Sequence, residues 1–168
     1  MVTVLTKSNI YLGKSLFGIA NKVTAPDIEM ETATITHGFG SYDVNTAFKS
    51  MTSNINIQGF DKDVFNAISN PFGWLNFTIY GALEEYSNES LVGSEQAKLI
   101  IRASSKKFSL LGELEQQKNL DYPIDFNVSA AKLYINNKEK YVIDNINQIY
   151  RINGVDLLAK VRKDLALQ

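Results

Sequence analysis

A two-residue period constrains this chain most. In "MTSNINIQGF", Ile55 and Ile57 fall on one side of an extended backbone, and Asn54, Asn56 and Gln58 fall on the other. A helix would scatter these residues around its axis. A strand with one apolar and one polar face keeps them apart. The same alternation runs through "WLNFTIY", where Phe77 and Ile79 oppose Asn76, Thr78 and Tyr80. It recurs from Ile28 onward, where Ile28 and Met30 oppose Asp27, Glu29 and Glu31. The chain is therefore expected to be mainly β, with strands that each need a covered face.

Turn chemistry divides the strands. Gly13-Lys14 separates Tyr11 and Leu12 from Leu16 and Phe17 as a tight hairpin. "HGFGSYDVNTAFK" interrupts the alternation with two glycines. The stretch from Thr36 to Lys49 is expected to be a projecting loop, with Gly38 and Gly40 as flexible points and Phe39, Tyr42 and Phe48 as apolar anchors. "DKDVFNAISN" predicts a short helix capped by Asp61, with Val64, Phe65 and Ile68 at helical spacing and Pro71 as the stop. "WLNFTIYGALEEYSN" and "QAKLIIRASSKKFSLLGEL" predict a long strand pair joined near "ESLVGS", followed by a loop at "QQKNLDYP". Asn136-Asn137 suits a tight hairpin turn between "IDFNVSAAKLYI" and "KYVIDNINQI".

The chain closes on "INGVDLLAKVRKDLALQ". The spacing predicts an amphipathic helix over about 154–166, capped by Asn153, with an apolar stripe of Val155, Leu158, Val161 and Leu165 widened by Leu157. Asp156 and Lys160 are spaced for an i,i+4 pair, and Arg162 and Lys163 suit the C-terminal end of the helix dipole. A helix this short is marginal alone in water, so the stripe must be covered by its own subunit or by a neighbour.

Composition excludes several function classes. The net charge of -1 over 168 residues gives no basic excess for nucleic-acid binding and no polybasic patch for a membrane surface. With no cysteine, disulfides, thiolate metal sites and cysteine nucleophiles are impossible. His37 is the single histidine, and in a glycine-flanked segment it reads as a turn or contact residue. "HGFG" stands without a G-x-S-x-G elbow, and "GFGSYD" places Asp43 where a dinucleotide fingerprint needs its third glycine. Glu84 and Glu85 are adjacent on a strand and point to opposite faces. No catalytic, metal or cofactor site is expected, and no secretion signal or membrane span is read from the sequence.

The segment "LYINNKEKYVIDNINQIYRINGVDLLAKVRKDLAL" resembles the contractile-phage (P2-like) major tail tube protein family. Ile143-Asp144, Asn147, Asn153-Gly154-Val155-Asp156, Leu158 and Arg162 stand in the family's order and spacing. "NIYLGKSLFGIANKVTAPDIE" is similar to the family's opening hairpin and first long strand. The middle, from about Thr36 to Asp121, is similar mainly in element order. Asp27, Glu29 and Glu31 depart towards acidity where other members are more basic.

The resemblance implies a tail tube protein-like fold. This is a single domain over 1–168, a β-sandwich or β-barrel with a short internal helix and a C-terminal amphipathic helix. It also implies a function: hexameric rings that stack into a hollow inner tube, enclosed by a tail sheath and enclosing a tape-measure protein. DNA would cross the lumen without specific binding, in a virion assembled in the host cytoplasm. An R-type tailocin tube is a near neighbour of this reading. A monomeric β-barrel ligand binder is the alternative from another class, and a hydrolase is remote.

On this reading Glu29, Glu31, Asn54, Asn56, Gln58, Asn76 and Thr78 are expected to face the lumen, on a polar or acidic wall that lets DNA slide. Lys98 and Arg102 would spoil that wall if they face the same way. The loop residues Gly38, Phe39, Gly40, Tyr42 and Phe48 are expected to contact the next ring. Lys160, Arg162 and Lys163 are expected to face the sheath, where weak exposed ion pairs suit a contact that must slip.

Overall fold

The computed structural model describes residues 2–59, 62–110, 115–118 and 120–166, with side chains at all of these except 15–21. The described elements run β1 (Val2–Leu12), β2 (Ser15–Thr24), β3 (Met30–His37), β4 (Gly40–Phe48), β5 (Met51–Gln58), α1 (Lys62–Ile68), β6 (Leu75–Ser87), β7 (Ser90–Lys107), β8 (Asp121–Ile135), β9 (Lys138–Asp144), β10 (Ile149–Ile152), β11 (Val155–Asp156) and α2 (Ala159–Asp164).

Strands β8, β5, β2, β1, β6 and β7 pair in that order, and β7 returns to β8, so the sheet closes into an antiparallel barrel. β8 is the seam. One edge carries β5 along Asp121–Val128 and then β9 along Ala130–Ile135, while the other carries β7. β10 and β11 continue outward from β9. β3 and β4 form a separate two-stranded hairpin that pairs with no other described strand.

The apolar face of each alternating strand supplies the core. Ile55, Phe77, Ile101, Ile124 and Phe126 are fully buried, with the Phe77 and Phe126 rings edge to face at 5.0 Å. α1 closes on this core through buried Ile68, whose carbonyl accepts a 2.6 Å bond from Ser105 Oγ. Two-residue turns hold successive strands in register. Asn88-Glu89, Asn136-Asn137 and Asn153-Gly154 all have positive φ at both positions, the twist that antiparallel hairpins favour. Asn136 also fastens its turn to β7, accepting from the Gln96 N–H at 3.0 Å.

The structure differs from the sequence reading in several places. The segment expected as a loop from Thr36 to Lys49 is mostly β4, and only Gly38 and Phe39 turn. The preceding strand begins at Met30 rather than Ile28, and its residues are almost all exposed rather than half-buried. "KYVIDNINQI" is not one strand but the end of β9, a turn and the first residue of β10. Asp144 accepts from the N–H groups of Ile146 and Asn147 and stops β9. Tyr122 and Pro123 belong to β8, not to a loop. Pro123 lies beyond the last β7 pairing at Asp125, where one edge asks no ladder bond of it.

The closing segment is not one helix over 154–166. Asn153-Gly154 make a hairpin turn instead of a cap, Val155 and Asp156 pair with β10 as β11, and α2 is only Ala159–Asp164. The cap expected at Asp61 lies outside the described residues, as do the side chains of Leu16 and Phe17.

Candidate assembly surfaces

The β3–β4 hairpin stands away from the barrel and is amphipathic. Cross-strand partners share a face. Ala33 with Val44 and Ile35 with Tyr42 make an apolar face; Thr32 with Asn45, Thr34 with Asp43 and Thr36 with Ser41 make a polar one. Ile35 and Tyr42 are 41% and 52% exposed and Val44 is half-buried, so among the described residues most of the apolar face is left uncovered. Phe39 at the tip is fully exposed. His37 packs its ring 5.8 Å from Tyr42 and accepts from the Phe39 N–H through Nδ1, the role of a turn residue.

The hairpin is anchored at its base. The Phe48 ring lies 4.7 Å from Tyr150 of β10, and Tyr150 meets Tyr141 of β9 edge to face at 5.3 Å with their hydroxyls hydrogen-bonded. Burial, and then the bond to Tyr150, push the Tyr141 hydroxyl well above the ordinary tyrosine range. On the other arm, the Lys49 ammonium pairs with Glu29 and its N–H donates to the Glu29 carbonyl at 2.8 Å.

The seven residues expected to line a lumen fall in three places. Glu29 and Glu31 sit at the hairpin base. Asn54, Asn56 and Gln58 lie on β5 opposite Asp125, Pro123 and Asp121 of β8, with Asn54 Nδ2 bonded to Asp125 at 2.6 Å. Asn76 and Thr78 lie on β6 opposite Arg102 and Ile100 of β7. Direct pairing puts Asn76 and Arg102 on one face, and Tyr80 and Lys98 beside them. Lys132, opposite Ile100, joins them from β8. That wall is basic and aromatic. Lys98 sits 5.7 Å from the rings of both Tyr80 and Tyr134, and Arg102 lies 5.6 Å from Trp74.

The tail segment presents its apolar residues unpaired. Val155, Val161 and Leu165 are 62%, 46% and 58% exposed, while Leu158 is half-buried beside a groove shared with Met30, Phe48 and Tyr150. Lys160 and Lys163 are exposed, but Arg162 does not point outward with them. Its guanidinium turns back to the Asp156 carboxylate and donates to the Gln148 carbonyl at 2.9 Å. Asp156 thus pairs with Arg162 rather than with Lys160. Asp156 also accepts from the Leu158 N–H at 3.1 Å, and the Arg162 bond holds its carboxyl below the usual carboxylate range.

Among the described residues, no group of three or more histidine, aspartate or glutamate side chains is placed to hold a metal ion. The notable surfaces are open strand edges, an uncovered hairpin and an uncovered apolar tail. They define a structural, assembling protein. The backbone matches, with a TM-score of 0.58, a chain of the cryo-EM structure of an extracellular contractile injection system, described as the PVC sheath/tube terminator in the extended state; identity is 13% over 76% of this chain and 93% of that one. It also matches the sheath-tube complex of that system at 0.57, with 14% identity over 76% and 88%. No curated protein matches the sequence. The chain belongs to the phage tail tube protein FII family, whose model matches residues 3–165. It is a structural tail tube protein with the fold of contractile-system tubes.

Proposed function

We propose that the chain is one tube domain that forms hexameric rings, and that these stack into the hollow inner tube of a contractile phage tail. The tube is enclosed by the sheath, holds a tape-measure protein, and passes DNA without binding it specifically. The subunit has no enzymatic role and is incorporated into the virion in the host cytoplasm. The observation that carries the reading is the amphipathic β3–β4 hairpin, which leaves an apolar face bare in the subunit; an isolated two-stranded hairpin is marginal in water. The tip residues Gly38, Phe39 and Gly40, with Tyr42 above them, are the contact to the next ring. Lys160 and Lys163 face the sheath.

For the lumen, the open edge of β1 supports one wall over the other. A barrel continuous across subunits needs a wall with a free edge, which favours β1–β6–β7 and therefore Asn76 and Thr78. Lys98 and Arg102 accompany them, so this wall is not acidic. Asn54, Asn56 and Gln58 then belong to a wall between subunits. A monomeric ligand binder is disfavoured, because Phe77, Phe126, Ile55, Ile101 and Ile124 fill much of the barrel interior and the apolar space that remains opens through the gap beside β1 rather than enclosing a ligand. Electron microscopy and light scattering of the purified protein across a concentration series test the proposal. Sixfold hollow tubes are expected. A species that stays monomeric at every concentration, with no tubes, would overturn it.

A further inference from the structure

β1 and β2 are joined only near their turn. β2 meets β1 at Ile10, Tyr11 and Leu12, then leaves to pair with β5 from Ile19 onward. β1 continues to Val2 with β6 on one side. Along Val2–Asn9 no described strand occupies its other edge, and the barrel wall is split there. Behind the split lies a cleft of about 750 Å³ whose apolar lining includes Leu5, Ile79, Leu83, Leu99 and Leu133, with Lys7 and Lys22 also bordering it. No described residue of β3 or β4 lines this cleft, so the subunit's own hairpin does not fill it.

We propose that this split receives the β3–β4 hairpin of a second copy, with β3 adding to the free edge of β1 and the Ala33, Ile35, Tyr42 and Val44 face turned into the cleft. The inference rests on the reading of the chain as a self-assembling subunit, and it names the surface that accepts the hairpin.

Three features select this occupant. A free strand edge requires another strand to satisfy its N–H and C=O groups, and β3 has eight residues, the length of the open stretch. The faces agree, because Leu5 and Ser8 point to the cleft side of β1 and an added strand brings Ala33 and Ile35 to that same side. The charges also agree. The hairpin and its base carry Asp27, Glu29, Glu31 and Asp43, of which Glu29 is paired with Lys49, so a net acidic segment meets Lys7 and Lys22 at the cleft. The uncovered tail segment is the weaker occupant. It offers no long strand edge, and it would bring Lys160 and Lys163 towards those two lysines. Hairpin and acceptor are different surfaces of the same chain, so the contact is heterologous and propagates from copy to copy. The hairpin's threonine-rich face would then continue the polar face of β1 and β6.

The absence of cysteine makes a direct test simple. Single variants Leu5→Cys and Ser8→Cys on the acceptor are mixed pairwise with Ala33→Cys and Ile35→Cys on the donor, assembled, oxidised and run on non-reducing gels. Thr34→Cys on the polar face is the control. At least one acceptor–donor mixture should yield mixed dimers at about tenfold the control level, because disulfides form only when Cβ atoms come within about 4 Å. Ser8→Cys keeps the test valid if Leu5→Cys misfolds. Tubes that form while no such pair exceeds the control would overturn this docking and leave the tube reading intact. If the unsubstituted chain forms no tubes at any concentration, the underlying reading fails, and this one with it.

Discussion

Phe48→Ala should separate folding from assembly. Phe48 is half-buried at the root of β4 and touches Tyr150 at 4.7 Å. Burying a whole phenylalanine contributes about 1.5–3 kcal/mol, so half of one brings about 1 kcal/mol. The tilted ring pair adds about 0.5–1.5 kcal/mol. The substitution should therefore cost about 2 kcal/mol, well short of the stability of an ordinary domain. With a urea slope of about 2 kcal/mol/M, the midpoint should fall by about 1 M at constant slope. The barrel does not include β3 or β4, so its circular dichroism should persist. The hairpin, freed at one root, should lose its fixed direction, and tubes should fail to form at concentrations where the parent assembles. Phe48→Leu should recover most of the stability. A midpoint unchanged within error, together with normal tubes, would show that the hairpin is not held by this contact.

Other consequences are open to measurement. The folded-state shift of Asp156 is downward, so its contribution is present above the ordinary carboxylate range and is lost as pH falls below about 4; protection of the α2 amides relative to their intrinsic exchange rate should fall in acid, and Asp156→Asn should remove that dependence. Tyr141 shifts upward, so stability should hold below the ordinary tyrosine pKa of about 10 and decline above it, with a flatter decline in Tyr141→Phe, followed by denaturant midpoints. Thr78→Cys and Arg102→Cys, on one face of paired strands, should react with a thiol reagent to similar extents in assembled tubes; strong protection of one alone would contradict the shared face. A Cβ on Gly81 would meet Leu5 Cδ1 at 2.6 Å, but Leu5 is 57% exposed and free to swing, so Gly81→Ala should leave thermal stability within about 1 kcal/mol.

The strands were legible where one face is dry. Ile55 and Ile57 against Asn54 and Asn56, and Phe77 and Ile79 against their polar neighbours, are buried as the alternation demands. Asn136-Asn137 carried its turn in its side chains. β4 was hidden for a physical reason. Both its faces meet water in the subunit, so "SYDVNTAF" shows no clean division, although Tyr42 and Val44 hold the alternation that marks it. The tail was misread because Val155, Leu158, Val161 and Leu165 fit helical spacing. The i,i+4 rule also pointed Asp156 to Lys160. The turn at Asn153-Gly154 breaks the helix early, and Arg162 reaches Asp156 across the shortened segment. Nothing local announces the split between β1 and β2, because it depends on how far two strands remain neighbours. Nor could the sequence show that Asn76 and Arg102 share a wall, which is a matter of register across two strands.

The pairing of β8 with three strands across its two edges has a mechanical consequence. In a stacked tube of the kind proposed, subunits would carry load along defined paths. β10 and β11 are joined by two pairs and β10 to β9 by four, as hairpins that open one rung at a time when pulled from the end. β8 is gripped on both edges along most of its length, so dragging it out requires many rungs to break together. Under tension applied at the C-terminal segment, β11 and then β10 should peel at low force, and extension should pause at β8. The tail segment then acts as a compliant coupling on a stiff body, able to yield and re-form while the barrel stays closed.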